Sequence, residues 1–211
     1  YIIMSNIFKN ASVSFCEKKF EYSDNIAEYH NSFSSLFYVL IGMTLLPTKL
    51  KHMGKWLCVV GIGAFLLHAT LSQWAQILDE SAMLGVSFSA LKELNPRTKS
   101  YFLIPIILIY WILNEFFLCF LSIFAIFQIL IVINARKRIN KKNKIWIILY
   151  IASFILGTTC WALDQGCKYK FNEFLEPLQL HAWWHFLTAS AIGFASIAFI
   201  MPNKIEKNKS I

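Results

Sequence analysis

"LHAWWHFLTASAIGFASIAFIM", residues 180 to 201, is apolar enough over most of its length to cross a bilayer, yet two imidazoles stand four residues apart at its start. A hydrocarbon core about 30 Å thick needs about 20 such residues per helix. Ionisable groups at that depth are costly and point to a site. His181 and His185 therefore raise two linked questions: how many comparable segments the chain has, and what the two histidines hold.

The composition agrees with a membrane setting. The chain has 211 residues, 57% hydrophobic and 15% charged, where a soluble domain carries roughly 25% charged residues. Residues 1 to 24 include Lys9, Glu17, Lys18, Lys19, Glu21 and Asp24, which leaves no apolar core for a secretory signal. Insertion then falls to the spans themselves. Seven candidates follow, at 30 to 47, 56 to 72, 75 to 91, 101 to 113, 116 to 134, 145 to 163 and 178 to 201. The third is the weakest, because it carries Asp79 and Glu80. A single helix from 101 to 133 would run to about 50 Å at about 1.5 Å per residue, so a hairpin is placed at Asn114 and Glu115.

Lys and Arg accumulate in cytosolic loops, and their positions orient the bundle. Lys9, Lys18, Lys19, Lys168 and Lys170 fall on one side, and the other fifteen of the 20 basic residues, including the run "RKRINKKNK" at 136 to 144, fall on the other. The net charge of +8 is thus a topology signal and not a nucleic-acid footprint. The expectation is an all-α integral membrane protein, a seven-transmembrane helix bundle forming one domain over residues 1–211. Its N-terminus, with the segment 1–27, is lumenal or exoplasmic, and its C-terminus, with the tail 202–211, is cytosolic.

In this topology His68 ends span two, Asp79 and Glu80 open span three, and His181 and His185 open span seven, all near the lumenal face. Positions i and i+4 share a helix face, so His181 and His185 can reach one point, with His68 completing a trio. Three neutral imidazoles and an open fourth position describe a catalytic zinc site, where bound water has its pKa lowered to about 7. Asp79 is the acceptor for that proton. A lone membrane histidine more often bridges helices by hydrogen bonding, and His30 and His52, without such partners, are read as interfacial. Trp183 and Trp184 are read as packing or interface residues.

"FCEKKFEYSDNIAEYHNSFSSL" near the N-terminus, "GAFLLHATLSQWAQILDE" at 63 to 80, "WALDQGC" at 161 to 167 and "LHAWWHFLTA" at 180 to 189 together resemble the alkaline ceramidases. These are seven-span zinc amidases in a superfamily that also holds adiponectin-receptor-like proteins. The resemblance implies zinc ligands at His68, His181 and His185 and a catalytic carboxylate at Asp79, with Asp164 in a structural role. It also implies a Cys16–Cys167 disulfide. Both residues lie outside the spans on the oxidising side, whereas Cys58, Cys119 and Cys160 lie within spans; the alternative is two free thiols sharing a compartment.

Two departures stand out. The family's active-site serine aligns with Ala64, so an oxyanion donor is missing unless Ser72, taken as one turn beyond His68 on the same face, or a water substitutes. The resemblance also implies a calcium site in "SFCEKKFEYSDNIAE". It expects an acid where Ser14 stands and an amide where Lys19 stands, which leaves Glu17 and Glu28. Calcium takes 6 to 8 oxygen ligands, so the balance goes against calcium here, with Lys19 supplying the positive charge instead. The implied activity is hydrolysis of ceramide to a sphingoid base and a fatty acid, in the endoplasmic reticulum or Golgi membrane, with membrane lipids as surroundings. The competing readings are an ester-lipid hydrolase of the same superfamily and a catalytically silent, receptor-like zinc bundle.

Overall fold

The computed structural model describes residues 9–166 and 172–200. Their regular structure is helical: α1 (Tyr29–Ser34), α2 (Leu36–Leu45), α3 (Lys51–Thr70), α4 (Gln73–Leu94), α5 (Leu103–Ile112), α6 (Phe117–Ala135), α7 (Lys144–Asp164), α8 (Asn172–Leu175) and α9 (Leu180–Ile200). Helix thus falls at each of the seven stretches singled out by hydropathy. Lys51–Thr70, Phe117–Arg138 and Lys144–Asp164 are long and apolar enough to cross a membrane. Cys167, Lys168, Lys170 and the tail 202–211 lie outside the described residues.

Two of the expected spans differ in detail. The first, 30 to 47, is interrupted at Ser35 between α1 and α2. The Ser32, Ser34 and Ser35 hydroxyls donate to the carbonyls of Glu28, Asn31 and Ser32, and such local bonds compete with the helical ladder. The third is longer than expected, running from Gln73 to Leu94, so Asp79 and Glu80 sit in its second turn, not at its opening. The expected hairpin at Asn114 and Glu115 separates α5 from α6, and Asn114 is held there by Gln73 Nε2, 2.6 Å from its Oδ1.

The helices pack in the order α7, α9, α2, α3, α4, α6, with α5 against α4. Close approach depends on small residues, as is usual between helices in lipid. A Cβ on Gly63 of α3 would lie 2.8 Å from the Asp79 backbone nitrogen on α4. Glycine there lets α4 pack its Asp79 backbone directly against α3, about two turns before the α3 C-terminus. On α6 and α7, Ile126, Ile129, Ile133, Ile148, Ile151 and Ile155 are exposed, and large apolar side chains exposed together mark an interaction or membrane surface.

The segment before α1 is not a free tail. Ala11 N donates to Leu71 O at 2.8 Å, Gln73 N to Lys9 O at 2.9 Å, Ala27 N to Ala69 O at 3.0 Å and Glu28 N to His68 O at 3.0 Å. It therefore lies across the α3–α4 connection, where Leu71 ends α3 in the left-handed region at φ 51°. The other anchor is the end of α7. Asp164, buried, accepts from Cys16 N at 3.3 Å, and the Cys16 sulfur lies 2.9 Å from the Asp164 carbonyl oxygen.

Candidate metal centre and apolar cavity

His68 closes α3, and His181 and His185 occupy the first two turns of α9. The three rings come together with centroids 4.9, 5.0 and 4.7 Å apart. One nitrogen from each lies within 4.8 Å of the others, and all three side chains are buried, so the trio could hold a metal ion. The spacing of four on α9 puts its pair on one face, and the C-terminal turn of α3 delivers the third.

Two of the imidazoles are oriented from behind. His68 Nδ1 donates to Glu28 Oε2 at 2.6 Å. His185 Nδ1 lies 2.9 Å from Ser34 Oγ, and that hydroxyl donates onward to Asn31 O at 3.1 Å, so its oxygen accepts from the ring. Both arrangements leave Nε2 as the free lone pair, which is how protein partners fix a metal-binding imidazole. His181 Nδ1 and Asp79 Oδ1, both buried, have no hydrogen-bond partner among the described residues. Leaving such atoms unpaired costs about 1–3 kcal/mol each. Three converging imidazole nitrogens beside orphaned polar atoms fit a cation with nitrogen ligands.

The histidines and Asp79 line a cavity of about 490 Å³ whose other walls include Ala64, Phe120, Phe124, Phe154 and Trp184. A second cavity, about 170 Å³ and almost wholly apolar, shares Tyr38, Val60, Met83, Phe124 and Trp184 with it. The ionisable cluster therefore sits against mostly apolar walls. Trp184 faces these cavities, whereas Trp183 is exposed, which divides the roles of the Trp pair. Phe15 of the N-terminal segment covers the site, its ring centroid 3.8 Å from that of His181 and 4.9 Å from that of His68.

Asp79 and Glu80 differ in their freedom. Glu80 is buried and engaged at both oxygens, by Gln76 Nε2 at 2.8 Å and Tyr110 OH at 2.8 Å. Ser72 is not where the sequence reading put it. α3 stops at Thr70, and Ser72 stands in extended backbone before α4, so it does not share His68's face. Its hydroxyl pairs with Thr70 Oγ1 at 2.7 Å, and it is not among the residues lining the cavity.

The acidic pair of the N-terminal segment, Glu17 and Glu28, is buried. Glu17 accepts the backbone N–H of His30 at 2.6 Å and of Asn31 at 2.8 Å. Burial pushes the Glu17 carboxyl above its ordinary value against the pull of those two bonds. Burial acts the same way on Glu28, but the hydrogen bond to His68 and the Lys19 ammonium outweigh it and hold Glu28 below the ordinary carboxylate range. Glu28 as the partner of His68 and Ser34 as the partner of His185 were not assigned from sequence. The carboxylate–histidine pairing habit of metal sites was the available signal, but it names no partner without coordinates. Glu28→Gln is expected to weaken metal affinity about 10–100-fold, measured by competition with a chelator; unchanged affinity would leave Glu28 a purely structural role.

A family model described as Ceramidase matches residues 8–210. Among curated proteins, the chain is 27% identical to a putative alkaline ceramidase, dcd3A, of Dictyostelium discoideum, over 84% of this chain and 81% of that one. It is 24% identical to alkaline ceramidase 1 of Homo sapiens, over 92% and 83% respectively. It is 26% identical to the alkaline ceramidase of Drosophila melanogaster, over 83% and 71%.

Proposed function

The chain belongs to the ceramidase family, and on that premise we propose that it is a zinc-dependent membrane amidase hydrolysing ceramide to a sphingoid base and a free fatty acid. The observation that carries this reading is the buried trio His68, His181 and His185 sharing with Asp79 a cavity whose walls are mostly apolar. A lipid amide fits that division, with its polar linkage at the histidines and its chains along Phe120, Phe124 and Phe154.

His68 and His185 would offer Nε2, and His181 completes the ligand set. Zinc held there would supply a Lewis acid that polarises a carbonyl and lowers the pKa of a water to about 7. Asp79, whose Oδ1 is unpartnered at the same cavity, takes a proton as the water oxygen bonds to the amide carbon. When the C–N bond breaks, the same carboxyl returns that proton to the leaving amine. Glu28 and Ser34 keep two of the rings aimed, and Phe15 keeps bulk water off them.

Ala64 is buried on the cavity wall without a hydroxyl. One oxyanion donor is worth roughly 10²–10³ in rate, so Ala64→Ser is expected to raise kcat by as much as about 10²-fold. The test of the whole reading is wild-type and Ala64→Ser protein in lipid bilayers with ceramide, with sphingoid base and zinc measured on one preparation. Base release with bound zinc supports it. Bound zinc without release from either protein would indicate a silent bundle. Fatty acid released from ester lipids but not from ceramide would indicate an ester hydrolase.

The same reading extends to placement. Seven spans with a lumenal N-terminus and a cytosolic C-terminus, in the endoplasmic reticulum or Golgi membrane, put the histidine end of the bundle towards the lumen. Cys16 beside the α7 end supports a bridge to Cys167, worth about 2–4 kcal/mol, while Cys58, Cys119 and Cys160 are free thiols. Non-reducing peptide mapping decides it: alkylation of both Cys16 and Cys167 without reductant rules the bridge out.

A further inference from the structure

We infer that the Lys19 ammonium is a built-in cation that replaces a divalent ion beside the histidine centre, holding Glu28 on His68 so that the N-terminal segment needs no calcium. A lysine ammonium has three donors and no acceptor. Here all three are used: Phe15 O at 2.9 Å, Glu17 O at 2.9 Å and Glu28 Oε1 in a short ion pair. Two backbone carbonyls and a carboxylate converging on one point are the oxygen chemistry a hard cation takes, and the side chain of this sequence fills that point from within.

The remaining carboxylate oxygens are committed elsewhere, and the buried Asn31 Oδ1, which has no hydrogen-bond partner among the described residues, would bring the oxygens open to a cation only to four. The two carboxylate oxygens of Glu17 accept the His30 and Asn31 backbone N–H groups. Glu28 Oε2 accepts from His68 Nδ1 at 2.6 Å and Asn31 Nδ2 at 3.1 Å. Calcium takes 6 to 8 oxygens, and the three around Lys19 fall well short of that. The residues present do not fit a calcium ion. They fit a fixed monovalent charge whose effect passes through Glu28 to the orientation of His68, with Glu28 fully buried and the Lys19 side chain 30% exposed. Lys19 is therefore a positioning residue, coupled to the metal centre through two hydrogen bonds.

The inference rests on the three-histidine reading of the site but not on its substrate, so the experiment reads retained zinc and unfolding temperature without turnover. Calcium alone, added at millimolar concentration, is expected to leave the unfolding temperature of the purified wild-type protein unchanged. Lys19→Met is expected to bind zinc about 10–100-fold more weakly, the usual effect of losing an outer-shell partner, with no recovery in calcium. The double variant Ser14→Asp, Lys19→Asn restores the acid and amide that the family resemblance places at these positions. Calcium is expected to raise its unfolding temperature and recover its zinc affinity. That variant also carries the test if Lys19→Met does not fold. Stabilisation of wild type by calcium, zinc binding by Lys19→Met as tight as wild type, or a double variant indifferent to calcium would each overturn the inference.

Discussion

The variant His68→Ala, His181→Ala, His185→Ala is expected to hold no zinc and to release no sphingoid base from ceramide, where wild type is expected to hold one zinc per chain. Loss of the centre removes the whole catalytic advantage, at least roughly 10⁶-fold for an enzyme. Elemental analysis beside lipid turnover measures both effects, and wild-type protein free of zinc after gentle purification would refute the site. The single variants are not equivalent. His68→Ala also takes from the buried Glu28 one of its three partners, and His185→Ala takes from Ser34 its contact with the ring, so both disturb the fold as well as the metal. Among the described residues His181 Nδ1 has no partner, so His181→Ala removes a ligand without leaving any of them newly unpaired. It is the variant in which metal loss and misfolding separate most cleanly, read by thermal unfolding alongside zinc content.

Asp79→Asn is expected to retain zinc and lose about 10²–10⁴ in kcat, the usual contribution of a positioned general base. The amide matches the carboxylate in shape, and because Asp79 Oδ1 accepts no hydrogen bond from a described residue, the change leaves the α3–α4 packing at Gly63 intact. What it removes is proton affinity. Unchanged turnover would transfer the role, with Glu80, which lines the same cavity, the alternative. Glu80 is a poor candidate on geometry, since Gln76 and Tyr110 already occupy both of its oxygens. A loss of zinc in parallel with activity would instead make Asp79 a ligand.

Periodicity and composition made the helices legible because a long apolar run has few alternatives in lipid, where each backbone group must be satisfied within its own segment. The same logic exposed His68, Asp79, His181 and His185, since polar groups are conspicuous against a hydrocarbon background. Departures of one residue were also readable: Ala64 lacks a hydroxyl and Lys19 carries a charge whatever the fold. Other features were settled only by tertiary structure. Whether Ser72 continues the face of His68 depends on where α3 ends, and the left-handed turn at Leu71 put it elsewhere. The partners Glu28 and Ser34 come from a segment 40 and 151 residues away from the histidines they orient, and no local pattern encodes such a pairing. Lys19 shows the division within one side chain. Its charge is written in the sequence, but its role is set by three oxygens that converge only when the chain before α1 folds back across the bundle, because hydrogen-bond geometry is a property of positions in space and not of order along the chain.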